Sequence, residues 1–188
     1  MANQTNSPIT SAQLPSPKEG EWLLVVDMQR AFSVRESPWF VKGFSDVSAR
    51  LKPLLPQYGS RVIMTRYVPP SPAERAWRSY MDAYPSMDTP EGDPLWDIVV
   101  DYPADALIET RTGFAKWDEK IASLVGDGAP IAVCGVATEC CVLGTVMHAI
   151  ESGREIKLLS NLCAGASDEL HESTLMILRS LGPIVTVI

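Results

Sequence analysis

Two adjacent cysteines, Cys140 and Cys141, sit in "GVATECC", between the apolar run "PIAVC" and the amphipathic run "VLGTVMHAIESG". Thr138 is a suitable helix N-cap, which would put Cys141 at the third helical position. There a thiol lies near free backbone N–H groups and the positive end of the helix dipole, and both favour the thiolate. The same N–H groups could hold an acyl oxygen as it gains negative charge. Cys140 points about 100° away around the helix, so only one of the two can face a given site. On this geometry alone the commoner fate of such cysteines is to pack as small hydrophobes.

A nucleophilic thiol needs a base. His148 follows Cys141 by two turns, about 10 Å of rise and out of hydrogen-bond reach. His171 opens the last helix in a polar context that suits a surface position. Asp27 ends the most apolar stretch, "LLVVDMQRAF". A carboxylate there either caps the following turn or serves a site. As a base it needs burial to raise its pKa and a nearby cation to restrain the rise. Arg66, Arg111 and Lys116 are the candidate cations, each equally readable as a solvated charge.

The elements that would position these groups are legible as apolar runs. Strands are expected at 22–27, 61–66, 106–110, 131–136, 155–160 and 184–188. Their continuous apolar character suits burial on both faces. Helical patterns end at Gly59, Gly153 and Gly182, the last beginning at a Ser167–Asp168 cap. Such alternation predicts an α/β fold, a three-layer αβα sandwich around a six-stranded, mostly parallel, Rossmann-like sheet. Ligands in such sheets bind beyond the carboxyl ends of the strands. Residues 67–104 are rich in Pro, Trp and Tyr with little regular period; they form either a pocket wall or a loop covering apolar surface.

The 188 residues suit one domain, expected over 21–188, after a flexible N-terminal arm at 1–20. The formal charge of −7 and the lack of basic runs argue against nucleic-acid binding. No apolar stretch approaches the roughly 20 residues of a membrane span, and residues 1–20 do not read as a signal peptide. The four cysteines contain no CxxC pair, which disfavours zinc and a disulfide framework and favours reduced thiols in a cytoplasm.

Taken together, "LLVVDMQRAF", "GVATECCVLGTVMHAIESG" and "LLSNLCAGASDELHESTL" resemble the isochorismatase-like cysteine hydrolases, which include nicotinamidases and N-carbamoylsarcosine amidases. The resemblance covers residues 21–188. It implies hydrolysis of a C–N bond in a small amide, ureide or carbamoyl compound through a thioester, with no cofactor. Asp27 is then the proton-transfer carboxylate and Cys141 the nucleophile. A cis peptide falls at Val136–Ala137 and turns the Ala137 and Cys141 N–H groups toward the oxyanion, while Cys140 packs. Glu139 stands where many members have Asp. "FAKW" makes Lys116 the catalytic lysine, with Arg111 in reserve. Nicotinamidases carry a D-x-H metal motif after the second strand; here "TRYVPP" occupies that place, so no catalytic metal is expected. Both nicotinamide and isochorismate are disfavoured as substrates.

Phe32, Tyr67, Trp77 and Trp117 are expected to line the pocket, with Gln29 or Arg66 as polar contacts. Arg66 at the mouth would suit a polar or carboxylate-bearing substrate. The partners implied are a small-molecule substrate and, in a homodimer or homotetramer, other copies of the chain. Two further classes stay open: a thiol redox or sensing protein using Cys140 and Cys141, and a catalytically silent binding protein on the same fold.

Overall fold

A computed structural model describes residues 16–188 of the chain. Most of the arm expected over 1–20 therefore lies outside the described residues. The strands are β1 (Trp22–Val26), β2 (Val62–Tyr67), β3 (Leu107–Arg111), β4 (Ile131–Val136), β5 (Ile156–Ala164) and β6 (Val185–Val187). They form one six-stranded sheet in the order β3-β2-β1-β4-β5-β6, and every pairing is parallel. Leu23 to Val26, Val62 to Met64 and Ile131 to Val136 are buried without a break, the signature of strands covered on both faces.

The helices are α1 (Arg30–Ser33), α2 (Phe44–Tyr58), α3 (Ala76–Ala83), α4 (Glu119–Val125), α5 (Leu143–Glu151) and α6 (Asp168–Arg179). The chain winds outward from β1 in both directions, so right-handed crossovers distribute helices over both faces of the sheet. The order reverses between β1 and β4, which makes their carboxyl ends the switch point where ligands bind in such sheets. Asp27 directly follows β1, and the "TECCV" turn follows β4.

Gly135 is what lets these two strands close up. Its φ is +118°, and a Cβ there would lie 2.1 Å from the Val26 carbonyl oxygen. Any larger residue would push β4 away from β1 at the register pair Val26–Gly135.

The sequence reading differs from the structure in three places. β5 runs on to Ala164, because a register shift between Val133 and Gly135 lets it keep pairing up to Val136. The segment 67–104 holds α3 and two short 3₁₀ turns, Pro85–Met87 and Pro94–Trp96, the second capped by Asp93. Helix α4 had no counterpart in the sequence reading, although its signals are present: Asp118 accepts from the Ile121 N–H, and Gly126 ends it. Among the described residues no helix is long and apolar enough to cross a membrane.

Candidate active site

Asp27 turns off the end of β1 with φ +50°, an uncommon conformation for a residue with a side chain. Thr65, on neighbouring β2, holds it there. The Thr65 hydroxyl donates to Asp27 Oδ1 at 2.7 Å and accepts from the Asp27 N–H at 3.2 Å. Lys116 Nζ lies 2.9 Å from the other oxygen, Oδ2, and both side chains are 0% exposed. The ammonium directs a hydrogen bond to the Gly113 carbonyl at 2.7 Å. Oδ2 is thus charge-paired but receives no aligned hydrogen bond, and keeps acceptor capacity inside the protein.

Cys141 arrives from the far side of the switch point. The segment Thr138–Val142 is one π-helical turn leading into α5, and the Val136–Ala137 peptide before it is cis. The expected Thr138 cap does not form. Its hydroxyl instead pairs with His171 Nδ1 at 2.8 Å, so His171 ties α6 to this turn rather than serving only the surface. In the wider turn Cys141 is not an ordinary third helical residue, and the expected thiolate bias is reversed. Burial pushes the Cys141 thiol well up, and the nearby Asp27 charge adds to the rise; Lys116 opposes it. The result is a neutral thiol beside a buried carboxylate with acceptor capacity to spare.

Thr145 links the two halves. Its hydroxyl accepts from the Lys116 N–H at 3.0 Å and donates to the Cys141 carbonyl at 2.6 Å. One side chain from α5 thereby sets the separation of lysine and cysteine. The Ala137 N–H has no acceptor among the described residues, and Ala137 borders the cavity.

That cavity, about 190 Å³, opens beside Cys141. That is room for several waters, enough for a small organic molecule. Phe32 and Tyr67 line it as expected. Trp39, Tyr80, Tyr84 and Phe114 line it too, and the sequence reading missed them. Trp77 and Tyr80 lie on α3 and Tyr84 directly follows it, an i, i+3, i+7 aromatic spacing that is visible in the sequence. Cys140 is half-buried and borders the cavity, so it is more than packing.

Four expected contacts fall elsewhere. Trp77 backs the wall, its ring 5.0 Å from Phe114 and 5.7 Å from Tyr80. Trp117 faces away: its indole N–H donates to Ser152 Oγ at 2.8 Å and Arg154 lies over its ring. Arg66 pairs with Glu91 at 3.3 Å over a separate cleft shared with Asp97 and Asp101, because residue 66 points to the opposite sheet face from its β2 neighbours Thr65 and Tyr67. Gln29 is fully buried and braces Tyr67, accepting from its N–H at 2.8 Å and donating to its carbonyl at 2.9 Å. Arg111 is engaged with Glu109 at 2.9 Å and Asp118 at 2.7 Å, so Lys116 is the cation that meets Asp27.

The residues after β2 do not fit a metal. Tyr67, Val68, Pro69 and Pro70 supply no carboxylate or imidazole. Among the described residues no three His, Cys, Asp or Glu side chains converge as a donor set.

The six-stranded parallel sheet brings a buried Asp–Lys pair and a cysteine together at its switch point. The sequence profile of the Isochorismatase domain matches residues 21–188, and the chain belongs to the isochorismatase family of hydrolases. No curated protein sequence matches the chain. Solved structures share the fold. The pyrazinamidase of Pyrococcus horikoshii, in complex with zinc, is 24% identical, covers 90% of this chain and 98% of its own, and superposes with a TM-score of 0.73. An isochorismatase family protein from Desulfovibrio vulgaris is 17% identical over 89% of this chain and 93% of its own, with a TM-score of 0.75. A cysteine hydrolase from Pseudomonas syringae pv. phaseolicola is 18% identical over 93% and 94%, with a TM-score of 0.69.

Proposed function

We propose that the protein is a cysteine-dependent hydrolase that cleaves a C–N bond of a small amide, ureide or carbamoyl compound through a thioester. The observation that carries this reading is the Asp27–Lys116 pair, wholly buried at 2.9 Å, beside the neutral Cys141 thiol at the cavity wall.

Asp27 takes the Cys141 proton as sulfur attacks the carbonyl carbon, so no free thiolate has to persist. The oxyanion is held by the N–H groups of Ala137 and Cys141. The C–N bond then breaks, and the leaving nitrogen takes the proton from Asp27. Water gives a proton to Asp27 and its oxygen attacks the thioester carbon. The C–S bond breaks, sulfur recovers the proton, and the acid departs. Lys116 keeps Asp27 charged and oriented between steps. No metal enters this sequence.

The same reading places the protein in a cytoplasm, with its cysteines reduced, as a homodimer or homotetramer; the four free cysteines support the first part. The test is a panel of amides, ureides and carbamoyl compounds screened for ammonia release, with Cys141→Ala as control and mass spectrometry for an acyl adduct. Release from wild type, none from Cys141→Ala, and an adduct on Cys141 is the expected result. Equal release from both proteins overturns the assignment, and sedimentation velocity reads the oligomer.

A further inference from the structure

The charge of the cavity wall bears on which compound can enter. Aromatic rings dominate the wall, and they form one connected cluster. Trp39 lies 5.9 Å from both Tyr80 and Tyr84, centroid to centroid, and Tyr80 lies 5.5 Å from Phe114. Burial raises the Tyr67 and Tyr80 phenols well above their ordinary value, so both stay neutral. Among the described residues no Lys, Arg or His lines the cavity. Lys116 lies behind the Tyr67 ring, 5.0 Å from its centroid, and its charge is matched by Asp27.

One carboxylate belongs to the lining, that of Glu139. Its Oε1 accepts from the Ala166 N–H at 2.9 Å. Its Oε2 is buried with no hydrogen-bond partner among the described residues. Gly165 leaves that oxygen uncrowded: a Cβ there would come within 2.6 Å of it. A buried carboxylate oxygen without a partner is costly unless something cationic or hydrogen-bonding meets it. Aromatic faces attract cations, and most strongly where water is excluded. A primary ammonium brings three N–H donors and needs several acceptors; a quaternary one has no N–H and suits ring faces. A carboxylate substrate would meet Glu139 with no cation to offset it.

We propose that the Cys141 site takes a small amide, ureide or carbamoyl compound bearing a quaternary ammonium group, held by Glu139 and the aromatic wall. This specificity rests on the hydrolase reading above and replaces the carboxylate-bearing substrate suggested by Arg66.

Three amides of matched shape test it: trimethylglycinamide, its uncharged tert-butyl isostere 3,3-dimethylbutanamide, and the anionic malonamate. Wild type should hydrolyse the cation about tenfold more efficiently by kcat/KM than the isostere, and malonamate less well than either. In Glu139→Gln, which keeps the acceptor for Ala166, the ratio of cation to isostere should fall toward one. Tyr84→Leu should shrink the same ratio without touching the Ala166 contact. Tetramethylammonium, titrated by tryptophan fluorescence, is a probe that needs no turnover and should bind wild type more tightly than Glu139→Gln. If the isostere matches or exceeds the cation, or the ratio survives both substitutions, the inference is overturned and the hydrolase reading stands. If neither these amides nor the wider panel of amides, ureides and carbamoyl compounds releases ammonia but tetramethylammonium binds through Glu139, the hydrolase reading falls and the cation site stands. Absence of tetramethylammonium binding overturns the cation site.

Discussion

The two ends of β1 carry the same pair of charges with opposite consequences. At the amino end Glu21 is buried and meets Lys157 at 2.5 Å, the Tyr58 hydroxyl at 2.9 Å and the Lys18 N–H at 3.4 Å, all through Oε2. At the carboxyl end Asp27 meets Lys116 at 2.9 Å, but Oδ2 receives no aligned hydrogen bond and a thiol and a cavity lie beside it. At Glu21 one oxygen meets three donors, and the cluster ties β1 to α2 and β5. The Asp27 cluster is left one donor short, with acceptor capacity to spare on Oδ2. A buried carboxylate–lysine pair is therefore no sign of a site by itself; unused acceptor capacity next to a nucleophile and open space is.

Three substitutions would break or sharpen this contrast. Asp27→Asn should lower kcat by about a thousandfold or more, with circular dichroism confirming the fold, since it removes the proton acceptor. A loss confined to KM would remove Asp27 from the chemistry. Thr145→Val should lower kcat roughly ten- to thirtyfold by loosening the link between Lys116 and Cys141; unchanged kcat would make Thr145 ordinary packing. At the other end, Glu21→Gln should cost about 1–3 kcal/mol in chemical denaturation while kcat/KM stays within about twofold, because Gln keeps some hydrogen bonds but strands Lys157. If Glu21→Gln disables turnover instead, the contrast between the two ends fails.

The pH dependence gives the smallest effects. Burial, then Asp27, raises the Cys141 thiol, so in a Cys140→Ala background its alkylation by iodoacetamide should be slower than that of a free thiol near pH 8. The rate should keep rising with pH beyond the ordinary thiol range; a plateau at neutral pH would contradict a neutral resting thiol. Glu109 titrates in the opposite sense. Burial alone would raise it, but Lys120 and Arg111 outweigh that and leave its pKa lowered. Its contribution to stability is therefore present above the ordinary carboxylate range and lost as pH falls through the depressed value. The melting temperatures of wild type and Glu109→Gln should converge in acid, by a few degrees at most.

Legibility followed the reach of the physical cause. The strands were readable because burial on both faces demands unbroken apolar runs, and Asp27 stood out as the charge that ends one. Lys116 came from the resemblance; its spacing to Phe114 and Trp117 carries no geometric argument that separates it from Arg111. Trp117 and Trp77 were misplaced because an aromatic residue near a site motif can face either way, and only the packing of α4 and α3 settles which. Glu139 was noticed as a departure from the usual Asp, but its free oxygen depends on the Gly165–Ala166 turn, 27 residues further along.

The chain's sequence by itself determined a mostly parallel sheet and the placing of Asp27 and Cys141 at strand carboxyl ends. These follow from local hydrophobic pattern and strand–helix alternation. The tertiary structure decided the protonation of Cys141, the choice of Lys116 over Arg111, and which rings face the cavity. Desolvation, ion pairing and enclosure depend on side chains brought together from β1, β2, α3, α5 and the loop after β5, and no local stretch of sequence contains that sum.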